Sequence, residues 1–289
     1  MDLKQHQPPL SVEQQIDNLK ELNLIIPDEE YAKSLLNSIS YFRLIKAYGL
    51  GLKSYNSTFD GKTSFNDIVS LYTFNEKFRQ LLFQQIEHIE VSLRCRIANH
   101  FSCAYGVLGY EIADNFVDPH YHEDFLTDID EEISRNSRAP FVKNFVNNYV
   151  DGTIPFYALI ELLSFGTLSK FYKNMKPADK KAVAQLYGVG YTYLESWFEH
   201  LAFVRNICAH YGRIYNINFP KTPILYKQYT EQGISNLRVF ATLVCMKHLL
   251  NKSQEWVEFI SEIEVLIAKY PQVRIELMGF PNEWKSFLL

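Results

Sequence analysis

Apolar positions recur at helical spacing along nearly the whole chain. The clearest run is residues 65–101, where Leu71, Phe74, Phe78, Leu82, Ile86, Ile89, Leu93 and Ile97 follow one another at steps of three or four. One face of a 3.6-residue helix repeats at that interval, so the run predicts a long amphipathic helix. A second stripe, Leu194, Trp197, Phe198, Leu201, Val204 and Cys208, predicts a helix over 191–208, with Gly212 marking its stop. A third lies in SNLRVFATLVCMKHLL, residues 235–250.

Punctuation places the shorter elements. Ser11, followed by Glu13 and Gln14, reads as a cap for a helix over 11–22 that carries Val12, Ile16, Leu19 and Leu22. Pro27-Asp28-Glu29 opens a helix near 28–38. SISYFRLIKAYGLGLKSY then reads as a helix or turn packing its aromatics inward, broken at Gly49 and Gly51. Residues 102–122 read as a loop and 123–137 as a helix. Pro155 starts FYALIELLSF, which Gly166 punctuates before LSKFYKNM continues. Pro177 opens KPADKKAVAQLYG, closed by Gly188 at a C-cap position. The tail from 253 is helical, then irregular around Pro271 and Pro281. Strand signals are scarce, and the expected class is all-α: an N-terminal helical extension over 1–60, a core over 61–217 and a C-terminal helical extension over 218–289.

Composition narrows the possibilities. Of 289 residues 47 % are hydrophobic and 21 % charged, a globular balance that excludes a disordered chain. Glycine is about 4 % against a usual 7 % or so, too few for a turn-rich β protein or a glycine-looped nucleotide fold. No apolar stretch approaches a membrane span, and MDLKQHQPPL lacks the basic start and apolar run of a signal peptide. Cys95, Cys103, Cys208 and Cys245 form no CxxC pair and read as reduced, buried thiols, so a cytoplasmic protein without membrane attachment is expected. Net charge is −4 and the pI about 6.1, so any nucleic-acid binding must come from a local patch.

The candidate chemistry lies in RNICAHYGRIYN, residues 205–216. Arg205 and His210 are separated by four residues. An imidazole serves as acid or base near neutral pH, and a guanidinium holds a phosphate and stabilises charge growing on its oxygens. Together they suffice for attack of an RNA 2′-hydroxyl on its own phosphate without a metal, with Asn206 orienting either group. Spacing alone is weak: Arg94 and His100 give a second match, and five steps at 100° leave Arg205 and His210 apart on an ideal helix. They converge if His210 lies past the helix end or if two chains share a site. The alternative is structural: Arg205 paired with a buried carboxylate and His210 capping the helix.

Around this pair, Glu90 and Arg94 stand four apart in the favourable order for an ion pair that orients the site. Glu161, inside an apolar run, calls for a partner, with Arg205 or Arg94 the obvious choices. Arg213 reads as a phosphate contact or a solvated arginine, and Asn216 as a loop brace or an ordinary turn residue. Lys170, Lys173, Lys176, Lys180 and Lys181 form the one basic concentration, either an RNA track or a solvated helix end. The aromatics of 41–59 are base-stacking candidates or core. His120 and His122 in DPHYHED have metal-like spacing without a supporting third block, so they read as part of a solvated loop, and no metal and no cofactor is expected.

Four ordered blocks make the chain resemble the Abi-like family of bacterial abortive-infection proteins, whose core is a divergent HEPN domain. They are ISYFRLIKAYG (39–49), LYTFNEKFRQLLFQQIEHIEVSLRCRIANHF (71–101), IPFYALIELLSFGTLSKFY (154–172) and LESWFEHLAFVRNICAHYGRIYN (194–216). The resemblance implies a HEPN-like helical bundle, metal-independent endoribonuclease activity in phage defence, and a homodimer that brings two motifs together. It maps the catalytic pair onto Arg205 and His210, with Asn206 beside them. Some similar members associate with a small non-coding RNA, which makes a regulatory RNA a second partner class beside substrate RNA, and leaves a non-catalytic RNA-binding module as the alternative. Related toxins carry a modifiable tyrosine two residues after the histidine; here Tyr211 follows directly and position 212 is glycine.

Overall fold

The computed structural model describes residues 8–53, 58–250 and 254–289. Among these the chain is all-α: three isolated bridges occur, but no strand or sheet. The described residues form two compact units, one from the stretches up to Arg79 and Ile263–Ile275, the other from Gln80–Glu262 and Glu276–Leu289.

In the first unit α1 (Val12–Glu21) packs against α2 (Glu29–Ser38). The Ser11 hydroxyl accepts from the Gln14 amide at 3.3 Å while the Gln14 side chain accepts from the Ser11 amide at 2.9 Å, satisfying two orphan donors of α1. At α2 the Asp28 carboxylate accepts from the Tyr31 amide at 2.9 Å, a one-way cap. The segment after α2 contains a π-helical turn, Phe42–Lys46. Leu44, Ile45 and Tyr48 point inward there as expected, but Phe42 is 79 % exposed, so that aromatic is not core. Residues 54–57 of the aromatic segment lie outside the described residues.

The long stripe does form one helix, α3 (Phe65–Tyr105), and all eight of its stripe residues are at most 2 % exposed. The second unit continues with α4 (Pro119–Arg135), α5 (Pro140–Asn148), α6 (Phe156–Leu159), α7 (Phe165–Asn174), α8 (Pro177–Gln185), α9 (Tyr191–Ala209), α10 (Lys227–Glu231), α11 (Val239–Leu249), α12 (Gln254–Lys269, entering the first unit at Ile263) and α13 (Trp284–Leu288). α7 packs against both α4 and α9, and α11 against α9 and α13.

Two boundaries differ from the sequence reading. The loop expected up to residue 122 ends at Asp118, whose carboxylate accepts from the His120 and Tyr121 amides and caps α4 with Pro119 in its first turn. The apolar run after Pro155 is two helices rather than one broken at Gly166. Ser164 accepts from the Thr167 amide at 3.0 Å and starts α7, which places Gly166 inside a helix.

Candidate functional site

α9 carries the candidate pair, and its end explains the spacing. His210 is the C-cap residue, donating its amide to the Asn206 carbonyl at 3.0 Å. Tyr211 follows at φ 59°, the Gly212 amide reaches the Ile207 carbonyl at 2.8 Å, and the Tyr211 amide reaches Cys208 at 3.4 Å. This is a Schellman closure with tyrosine, not glycine, in the left-handed position. Gly212 is needed for another reason: a Cβ there would stand 2.7 Å from Ile207 Cγ2. His210 is thus the first residue past the helix, and it is exposed.

One turn earlier, Arg205 meets a buried charge cluster. Glu90 on α3 pairs with Arg94 Nη2 through Oε1 at 2.5 Å, and its Oε2 stands 3.4 Å from Arg205 Nε. Arg94 Nη1 also donates to the Ile160 carbonyl. Glu90 and Arg94 side chains are 13 % and 11 % exposed, Arg205 34 %. Arg205 Nε is itself buried, and its alignment to Glu90 makes an ion pair without a hydrogen bond. Its guanidinium lies 5.6 Å over the Phe83 ring. The two terminal nitrogens have no hydrogen-bond partner among the described residues. One carboxylate against two guanidiniums leaves the cluster one positive charge in excess, at the partly exposed end.

Glu161 joins neither arginine. It is exposed in a 3₁₀ turn, because Arg94 reaches the backbone one residue earlier and already has Glu90 as its counter-ion. The second match, Arg94 with His100, divides between two structural tasks. Arg94 serves Glu90, while His100 Nε2 binds Asp179 at 2.8 Å, an aspartate that also accepts from Tyr105 at 2.6 Å. Burial, then that carboxylate, pushes the Tyr105 phenol up to about 12. Asn216 takes φ 49° in a turn and accepts from Arg238 Nη1 at 3.2 Å. Arg213 is half-buried in the same segment.

The basic concentration is not one face. Lys180 is buried and pairs with Glu195 at 2.8 Å, and Lys176 lies 5.8 Å over the Tyr105 ring. Lys170 and Lys173 are exposed on α7 and, with Asn206 of α9, line a cavity of about 420 Å³. Glu199 and Lys221 pair at 2.5 Å on its rim, and that lysine's hydrogen bond holds the Glu199 carboxyl below the usual range. Sequence spacing did not reveal this cavity, since its walls come from separate helices. His122 is buried in α4, bonded to the Tyr110 carbonyl at 2.8 Å and 4.8 Å from the Phe116 ring; His120 is 91 % exposed. Neither belongs to a solvated loop, and among the described residues no three His, Cys, Asp or Glu side chains are grouped to hold a metal ion.

The site is thus an arginine ion-paired to a shared, buried carboxylate and a histidine that caps the same helix, in an all-α chain. Residues 34–216 match the model of the family described as Abi-like protein, and the chain belongs to that family. Membership places it among proteins of abortive infection and phage defence in general terms. No curated protein and no solved structure matches it. No helix of the described residues is long and apolar enough to cross a membrane.

Proposed function

We propose that the chain is a metal-independent endoribonuclease of the HEPN type acting in phage defence. The observation that carries this reading is Arg205: its Nε faces a buried carboxylate while both terminal nitrogens remain available at a partly exposed, net-positive site. A guanidinium held in that way is set to receive a phosphate in fork geometry. The RNA 2′-hydroxyl attacks its adjacent phosphorus, Arg205 stabilises the charge on the equatorial oxygens, and the 5′-oxygen leaves. The products are a 2′,3′-cyclic phosphate and a 5′-hydroxyl. Asn206 orients the pair, and Arg213, Lys170 and Lys173 hold the strand.

The reaction needs one group to take the 2′ proton and another to protonate the leaving oxygen. His210 supplies one such group per chain, and no hydrogen bond joins its side chain to Arg205 among the described residues. A homodimer that joins two copies supplies both. The test is cleavage of a mixed RNA pool in EDTA by the wild type, His210→Ala and Arg205→Ala, with the oligomeric state measured alongside. Loss of about 10²–10⁴-fold in rate is expected for His210→Ala. Variants that cut as well as wild type would sink the proposal. RNA that is bound with no cut ends would favour a non-catalytic module holding a regulatory RNA, the reading that the lysine-lined cavity supports.

A further inference from the structure

The cavity beside α9 is built, not left over. Three helices each present residues at helical spacing to it: Tyr121, Asp124 and Asp128 on α4, Gly166, Lys170 and Lys173 on α7, and Glu199, Phe203 and Asn206 on α9. Inward stripes of this spacing usually carry apolar side chains. Here they carry charges of opposite sign on separate walls, carboxylates on α4 and ammonium groups on α7, above a floor of Phe116, Phe125 and Phe171. Gly166, Ser169 and Ala202 line the same space, and such small side chains leave room between the packed helices. A volume of about 420 Å³ falls in the range of about 300–1,000 Å³ common for small-molecule sites.

The occupant is defined by what these walls can satisfy together. Tyr121 and Phe203 line the cavity as well, and aromatic side chains of this kind stack on planar rings. An edge of N–H donors suits the α4 carboxylates, and an anion suits the α7 lysines. A purine nucleotide has all three. Glu199 has Lys221 as its hydrogen-bonded counter-ion and feels Lys173 at longer range, while Asp124, Asp128, Lys170 and Lys173 make no close ion pair among the described residues and are the charges that face a ligand.

We propose that this cavity is a nucleotide subsite that takes one unstacked purine, its phosphate on Lys170 and Lys173 and its N–H edge toward Asp124 and Asp128. Bases taken out of a strand are held in this manner, by stacking and by contacts to their edges. Asn206 lines the cavity and Arg205 precedes it on α9, about 100° around the helix. A nucleotide seated here therefore shares the last turns of α9 with Arg205. The subsite rests on the RNA reading above where the nucleotide belongs to a strand. A free mononucleotide offers the same chemistry.

The experiment uses full-length His210→Ala protein, so that bound RNA stays intact. Affinities are measured for r(UUGUU), r(UUAUU), r(UUUUU), GMP, AMP and UMP. The expected result is a purine preference of at least tenfold. Preference among the pentamers alone makes the strand the source; preference among the mononucleotides as well makes it a free nucleotide. Gly166→Phe should abolish the preference. A Cβ at Gly166 meets nothing closer than Ser164 Oγ at 3.6 Å and the backbone there is not left-handed, so the added ring enters the cavity. Unchanged far-UV circular dichroism and urea midpoint establish that this variant folds. Should it not, Lys170→Glu with Lys173→Glu, both exposed, should weaken purine binding at least tenfold. Equal affinity for purine and uracil ligands, or a preference that survives these substitutions, overturns the subsite. Cleavage by the wild type is scored separately, so the subsite and the nuclease reading can fail independently.

Discussion

His200 gives the sharpest thermodynamic test of the second unit. It is wholly buried on α9, with Nδ1 2.6 Å from the Lys221 carbonyl and Nε2 2.9 Å from Thr242 Oγ1. A carbonyl only accepts, so Nδ1 carries the proton and Nε2 accepts from the threonine hydroxyl. Burial is the main cause that pulls the imidazole down from its ordinary 6.5 to about 4, the bond to the Lys221 carbonyl opposing it. Between those values the unfolded chain binds a proton that the folded chain refuses. Stability from this group is therefore complete above pH 6.5 and is lost as pH falls toward 4. At about 1.4 kcal/mol per pH unit, the loss between pH 7.5 and pH 5 is about 2 kcal/mol. The assay is urea unfolding followed by tryptophan fluorescence, since Trp197, Trp256 and Trp284 all lie in this unit. His200→Gln does not titrate, so its stability should fall about 2 kcal/mol less than wild type over the same interval. Parallel profiles for the two proteins would refute the argument.

Two further outcomes follow from the cluster and the thiols. Glu90→Gln should cost about 3 kcal/mol by urea unfolding, because it leaves Arg94 buried without its counter-ion, whereas Arg205→Met, at a third exposure, should cost under about 1 kcal/mol; a larger loss for Arg205→Met would make that arginine a structural strut. Of the four thiols expected to be buried, Cys95 and Cys103 on α3 are instead exposed and should react with a disulfide reagent within minutes in native protein, while Cys208 and Cys245 wait for unfolding. Burial pushes the Cys245 thiol well up, and four fast thiols would contradict its placement.

Much of the scaffold is legible in the sequence because burial repeats at a fixed period. The α3 stripe is the strongest case, as the same eight residues are found inside. Where the reading failed, a local polar contact outweighed the period. FYALIELLSF looks continuous, yet the backbone turns extended at Leu163 and the Ser164 hydroxyl caps the start of a new helix. DPHYHED looks like a polar loop, yet Asp118 and Pro119 are a helix start, and His122 turns inward to a carbonyl. The Glu90–Arg94 pair is local and readable at i, i+4, but the sharing of Glu90 with Arg205 joins distant segments. The cavity is illegible for the same reason, its three walls being three separate stripes.

That sharing also bears on why residue 205 is an arginine. Glu90 neutralises whichever cation stands there, and Arg94 already claims its other oxygen. A lysine would bring one compact ammonium group, drawn to the same carboxylate and left with little to offer an anion. A guanidinium meets Glu90 through Nε and still presents two nitrogens outward. Arg205→Lys should therefore keep net charge and stability within about 0.5 kcal/mol of wild type, as substitutions outside tightly packed sites do, yet lose RNA cleavage almost as fully as Arg205→Ala. Activity near wild type in the lysine variant would mean that charge at this position is enough and that the fork geometry around Glu90 plays no part.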